Sequence, residues 1–200
     1  MQTLKEEIKS KIIEAAVKEF SALGYEKASM RTIAKAAGIS VSNTYNYYVG
    51  KEELFVSIIE PVFNQLKDIL KQSFQQSMKA RAGNNVQSFI DGIVKSLVQL
   101  EARQRQLLII LIEKSAGTKY EKSREEMISL LRMHLAEAAR KPGSAAQIEE
   151  NQTYILNIIA NNYIDGLFKV LEDYRSKEWA EENLRTLLTY HLNGIKALVV

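Results

Sequence analysis

The 200-residue chain contains no cysteine. Disulfides, thiolate nucleophiles and cysteine-ligated zinc or iron–sulfur centres are thereby removed together, in agreement with a reducing cytoplasm. Only two prolines, Pro61 and Pro142, interrupt it, and no stretch alternates with the period of two that a half-buried strand shows. An all-α fold is therefore expected. Asp91-Gly92 and Asn193-Gly194 have the composition of hairpin turns, but each sits inside an apolar pattern of helical period, so both read as glycines within helices. Long apolar runs are also missing. The longest, Leu107 to Ile112, falls far short of the roughly 20 residues of a membrane-spanning helix and reads as a buried helix segment. No membrane partner is expected. Thr3 and Leu4 are followed at once by Lys5, Glu6 and Glu7, where an export signal would carry a continuous apolar segment, so the expected location is the cytoplasm.

Catalytic constellations are equally scarce. The two histidines, His134 and His191, fall on different expected helices without the i, i+4 spacing of a helical metal site, and read as core or surface residues. There is no G-x-S-x-G elbow, phosphate-binding loop or dinucleotide fingerprint. The acid pairs Glu6-Glu7, Glu52-Glu53, Glu125-Glu126, Glu149-Glu150 and Glu181-Glu182 lie near helix starts, where they complement the macrodipole. No enzymatic activity, metal or cofactor is expected.

What is present is a chain that is 46% hydrophobic, enough to bury a substantial core. Its net charge is only +3, but the charge is unevenly placed. From Lys27 to Lys51 the basic residues are Lys27, Arg31, Lys35 and Lys51, with no Asp or Glu among them. This window is either a gap in the acids or a surface for phosphates, where counterion release would operate.

Periodicity and capping signals divide the chain into about nine helices. The first opens at a capping box, Thr3 with Glu6, lines up Leu4, Ile8, Ile12, Ala16 and Phe20, and ends at Gly24. Two short helices follow, Ser29 to Ala37 and Ser40 to Tyr48, and then a long one from about Lys51 to Met78. Further start signals at Asn84 with Gln87, Thr118 with Glu121, and Ser144 with Gln147 open later helices. These are expected over about Asn84 to Glu101, Arg103 to Ala116, Tyr120 to Arg140, Gln147 to Tyr174 and Lys177 to Leu198, with Pro142-Gly143 as a break. The expected organisation is a small three-helix domain over residues 1–50 and a helical bundle over residues 51–200, joined by continuous helix.

The two short helices satisfy the demands of a helix-turn-helix: a small residue at the crossing, a residue tolerant of positive φ in the turn, and apolar residues pinning the second helix to the first. Ala34 supplies the first, Gly38 the second, and Ile33, Ala37, Ile39, Thr44 and Tyr48 the inward face. Val41, Ser42, Asn43, Tyr45, Asn46 and Tyr47 then lie on the other faces. Ser, Asn and Tyr hydrogen-bond phosphates and base edges, Asn suits adenine, and Val41 suits a thymine methyl. The alternative is an amphipathic helix with core tyrosines. Tyr45, Tyr47 and Tyr48 spread over about 300° of such a helix, so at least one of them is exposed.

The stretch Ser29-Met30-Arg31-Thr32-Ile33-Ala34-Lys35-Ala36-Ala37-Gly38-Ile39-Ser40, with Thr44-Tyr45-Asn46-Tyr47-Tyr48 and Lys51-Glu52-Glu53-Leu54 after it, resembles the N-terminal signature of the TetR family of repressors. Ala15-Ala16, Phe20, Gly24 and Tyr25 precede it at the family's distance. The signature covers residues 8–55 and is specific; beyond it, only length and helix number agree. The resemblance implies DNA contact through Arg31, Val41, Ser42, Asn43, Tyr45, Asn46 and Tyr47, with Lys51 placing its charge on a phosphate at a helix N-terminus. Three positions depart from the usual pattern: Ser42 where glycine is frequent, Thr44 where leucine is usual, and Tyr48 where phenylalanine is usual.

A single helix-turn-helix makes few contacts, and the common solution is a two-fold dimer presenting two recognition helices about 34 to 36 Å apart to a palindromic operator in double-stranded DNA. The last two helices are the candidates for a homodimer surface. Leu184, Leu187, Leu188, His191, Leu192, Ile195, Leu198 and Val199 form a seam, and the preceding helix is apolar nearly all round through Ile155, Ile158, Ile159, Tyr163, Ile164, Leu167, Phe168, Val170 and Leu171. Gly166 and Gly194 permit close approach. These stripes either meet a symmetry mate or fill one chain's core; in the family resembled, the corresponding helices form a four-helix interface.

Phe63, Phe89, Ile93, Leu97, Leu108, Ile112, Met127, Leu131 and His134 are the adaptable and apolar candidates for a small-molecule pocket, and Tyr154, Asn157 and Asn161 the polar ones. The family resemblance implies a small-molecule inducer there, which shifts the protein away from its DNA-competent spacing. The rival readings are the same architecture without an inducer, and a helical protein-interaction module.

Overall fold

Hydroxyl caps and left-handed glycines punctuate the first part of the chain, as their short-range chemistry requires. The structure, a computed structural model, describes residues 2–83, 86–100, 102–139 and 150–198. Among these residues there are nine helices and no strand: α1 Gln2–Lys27, α2 Met30–Ala37, α3 Val41–Tyr45, α4 Lys51–Gly83, α5 Val86–Val98, α6 Ala102–Glu113, α7 Ser123–Ala139, α8 Glu150–Glu172 and α9 Lys177–Leu198. Gly92 and Gly194 lie within α5 and α9, as the helical pattern around them requires. No helix of the described residues is long and apolar enough to cross a membrane.

Most boundaries fall within a few residues of those read from the sequence. At Gly24 the backbone turns to φ 75°, ψ 168°, which breaks the helical dihedrals near the end of α1. Ser29 caps α2, its side chain accepting from the Thr32 N–H at 3.1 Å, and Gly38 ends it in the left-handed region at φ 72°. Two expectations change. The α3 helix stops at Tyr45 instead of Tyr48, because Asn46 and Tyr47 bond back three residues, to Asn43 O at 3.1 Å and Thr44 O at 3.0 Å, and tighten the final turn. The Thr118–Glu121 pair does not open a helix. Thr118 Oγ1 donates to Ser115 O at 2.7 Å and accepts from Tyr120 N at 3.0 Å, while Glu121 accepts from Gly117 N at 3.2 Å. The result is a self-bonded loop, and α7 begins at Ser123. Asn84, Pro142-Gly143 and the Ser144–Gln147 signal lie outside the described residues.

The chain divides into two compact units, Met1–Lys67 with Ala102–Ser123, and Asp68–Glu101 with Arg124–Val200. In the first, Ile12, Phe20, Ile33, Leu54, Phe55 and Ile59 are buried completely, and α6 joins them through Leu108, Ile110 and Leu111. Phe55 takes Phe20 and Tyr25 edge-on, with ring centroids at 4.9 and 5.0 Å, a preferred aromatic geometry. The Tyr25 N–H, released by the break at Gly24, donates to Lys114 O at 2.9 Å.

In the second unit α9 packs against α5 and α8. Leu184, Leu188 and His191 are buried within this chain, and His191 Nδ1 lies 2.8 Å from Leu187 O. These three seam positions therefore belong to the chain's own core. Leu187 fills the space left by Gly166, where an added Cβ would lie 3.0 Å from its Cδ1. The side chains of Leu192, Ile195 and Leu198, and all of Val199, lie outside the described residues. Among the described residues, the large hydrophobic side chains that α8 and α9 leave exposed are Tyr154, Ile155, Ile158 and Tyr190, the last 74% exposed.

Candidate nucleic-acid interface and the groove of the second unit

The reading head is built by three local devices. A Schellman closure at Gly38, with Gly38 N bonded to Lys35 O at 3.2 Å and Ile39 N to Ala34 O at 3.1 Å, ends α2. Ser40 then caps α3 by accepting from Asn43 N at 3.1 Å. Ile33, Ala34, Thr44 and Tyr48 are all buried and seat the two helices on α1 and α4. Thr44, polar where an apolar residue is usual, is satisfied inside this seat: its hydroxyl donates to Ser40 O at 3.3 Å. Tyr48 is not. Its phenol oxygen is buried without a hydrogen-bond partner. Burial raises its pKa and a facing Ser57 hydroxyl acts the other way, but Ser57 directs its proton to Leu54 O at 2.8 Å.

Most of the residues expected to meet DNA are open to solvent. Arg31, Val41, Ser42, Tyr45 and Asn46 are exposed, and Asn43 and Tyr47 are half-buried. Asn46 Nδ2 donates to Asn43 Oδ1 at 3.2 Å, so the two amides are oriented as a pair, with the Asn46 carbonyl oxygen and the Asn43 amide protons left for a partner. Lys27 and Lys35 are exposed beside them.

Lys51 departs from its expected place on a phosphate. Its Nζ donates to three backbone carbonyls, Tyr25 O at 2.7 Å, Ala28 O at 3.0 Å and Glu26 O at 3.2 Å, and sits 4.3 Å from the Tyr25 ring centroid. An ammonium has three protons, and all three are engaged. Glu52 and Glu53 occupy the same first turn of α4, and Glu53 accepts from the Val49 N–H. Lys51 is a clasp on the corner that follows α1.

The residues expected to bind a small molecule are divided between the two units. Phe63, Leu108 and Ile112 belong to the first unit, and Ile93, Leu97, Met127 and Leu131 to the second, where all four are buried. The side chains of Phe89 and His134 lie outside the described residues. Tyr154, Asn157 and Asn161 do come together, along a groove of about 740 Å³ between α7 and α8. Their counterparts across it are Arg124, Glu125, Ile128, Ser129 and Arg132, which the sequence reading missed. The repeat Arg124, Ile128, Arg132 and its match Thr153, Asn157, Asn161 are visible as i, i+4, i+8 stripes; that they face each other is a tertiary fact.

The geometry of α2 and α3 agrees with what similarity shows. The profile described as "Bacterial regulatory proteins, tetR family" matches residues 12–58, the span that contains every cap and contact of the head. Over these residues the chain is similar to regulators of the TetR family. It is 27% identical over 170 residues to the HTH-type transcriptional regulator UidR of Escherichia coli, covering 83% of this chain and 69% of UidR. Among solved structures, NalD of Pseudomonas aeruginosa, described as the secondary repressor of the MexAB-OprM multidrug efflux pump, has a TM-score of 0.58 at 19% identity, with 95% of this chain and 96% of NalD covered. FadR of Bacillus subtilis, solved with stearoyl-CoA, has a TM-score of 0.50 at 16% identity over 90% of this chain and 98% of FadR. These two similarities extend the TetR fold beyond the head to the body. The chain is thus similar to DNA-binding transcriptional regulators, in its head by the family profile and over most of its length by UidR.

Proposed function

We propose that this protein is a repressor that holds a palindromic operator as a homodimer and releases it when a small molecule binds the body, with residues 1–50 as the reading head and residues 51–200 as the sensing and dimerising part, working in the cytoplasm. The observation that carries the reading is the α2–α3 surface. Arg31, Ser42, Tyr45 and Asn46 are exposed at these two helices and Asn43 is half-buried, and the oriented Asn43–Asn46 pair offers the donor and acceptor that an adenine edge takes. The exposed apolar residues Ile155 and Ile158 on α8 and Tyr190 on α9, two helices that pack together, support dimerisation through these helices. Repression and small-molecule control are supported by the printed descriptions of NalD as a repressor and of FadR in complex with stearoyl-CoA. The test is selection of bound fragments from random DNA. A palindrome with half-sites about one helical turn apart is the expected result; recovery of no enriched sequence at physiological salt overturns the reading.

A further inference from the structure

The α7–α8 groove has a definite chemistry. Arg132 stands toward one end, on α7, and Arg124 two turns earlier, about 12 Å away along the helix axis. Arg124 is ion-paired with Asp165. Arg132 reaches only Ser129 Oγ at 3.5 Å, the limit of a hydrogen bond, and no carboxylate among the described residues pairs with it. The groove's remaining acid, Glu125, lies next to Arg124 and about 10 Å along α7 from Arg132. The opposite wall is amide-rich. Asn161 anchors its Nδ2 on Asn157 O at 2.8 Å, which leaves its carbonyl oxygen as an acceptor; Tyr154, 67% exposed, forms a rim.

A guanidinium that no carboxylate of the described residues opposes seats an anionic head, and amides and hydroxyls along the walls pair with groups that both donate and accept. With Ile128 as the one aliphatic residue of the lining, an alkyl chain gains little here. The volume is that of a small-molecule site. The exposed apolar residue Ile155 lies about 160° around α8 from Asn157, on a different face of the helix from the amides of the groove.

We propose that the α7–α8 groove binds a small organic anion, a carboxylate or phosphate monoester with hydroxyl or amide groups along its length, whose head sits on Arg132 and whose body lies along Asn157 and Asn161. This deepens the sensor reading above and rests on it for its consequence, release of DNA. The anion is the effector, the groove its site, and Arg132 the residue that distinguishes it from a neutral analogue.

The test uses the full chain, isotope-labelled, and follows the Arg132 Nε–H signal, assigned by its loss in R132Q, together with the side-chain amides of Asn157 and Asn161. The probes are pantothenate, its neutral alcohol panthenol, glycerol 3-phosphate and octanoate, at constant ionic strength. The expected result is saturable movement of these signals with pantothenate or glycerol 3-phosphate, the stronger of the two naming the head group, and on the order of tenfold or weaker binding of panthenol and octanoate. R132Q and N157D, the second of which adds a repelling charge at an exposed position, should each weaken the anion by about tenfold or more. Equal response to panthenol or octanoate, no saturation with either anion, or unchanged affinity in both variants overturns the proposal, as does movement of the Arg132 signal with protein concentration alone. Retention of selected DNA, measured in parallel, separates the two readings. Anion binding with unchanged DNA affinity keeps the site and removes the sensor, whereas release of DNA by another compound with these signals still keeps the sensor and removes the site.

Discussion

The reading head and the α7–α8 groove are made from similar side chains, serine, asparagine, tyrosine and arginine, and they differ in where those side chains find their partners. In α2 and α3 the bonds run over a few residues: Ser29 to Thr32, Ser40 to Asn43, Asn46 to Asn43 and Thr44 to Ser40. Each is determined by helix geometry at one end of a short element. In the groove the two walls come from helices separated in sequence, and Arg124 finds Asp165 across them. A site assembled from local bonds is preorganised by its own sequence, whereas a site between helices depends on how those helices pack.

Lys51 breaks this contrast within the head and should give the largest effect. Its three carbonyl bonds span 23 to 26 residues, so Lys51→Met should destabilise the protein by about 2 kcal/mol, the range for charged hydrogen bonds, read as a lower urea midpoint. Weaker DNA binding at an unchanged midpoint would instead return Lys51 to a phosphate. Gly38→Ala sharpens the local side of the comparison. Nothing lies within 4 Å of the added Cβ, so the left-handed backbone alone should cost about 1 to 2 kcal/mol; thermal unfolding measures it, and an unchanged midpoint would show that the turn relaxes.

Tyr48→Phe should act in the opposite direction. Removing a buried hydroxyl without a partner should stabilise the fold by about 1 kcal/mol, and a loss in chemical unfolding would reveal a hydrogen bond at that oxygen. Asp165→Asn should have the smallest effect. Its pair with Arg124 has side chains 56% and 34% exposed, and solvent screening limits such a pair to less than about 0.5 kcal/mol; a larger drop in thermal stability would show that the pair braces the groove.

Much of the head was legible because its signals are short-range. Gly38, Ser29 and Ser40 lie at the stops and starts that their types favour, and the expected inward face of Ile33, Thr44 and Tyr48 is buried. The misses there arose from the last turn of α3, tightened by backbone bonds that side-chain pattern does not encode, and from Lys51, whose partners are carbonyls. Carbonyls have no signature in the side-chain code. In the body, periodicity located the helices, including α9 over Lys177–Leu198, but left open whether Leu184, Leu188 and His191 meet a symmetry mate or the chain's own core, in which they are buried.

By itself the sequence determined that the chain is helical, where the short helices of the head begin, where α2 ends, and most of the side chains that the head turns outward. Each of those depends on residues within about one helical turn, so the necessary partners are already adjacent in the chain. Only the tertiary structure decided that Lys51 clasps the corner after α1, that Leu184, Leu188 and His191 of α9 belong to the chain's own core, and that Arg132 faces Asn157 across a groove. An apolar or polar stripe states that a helix face needs a partner; which helix supplies it is set by packing of the whole unit.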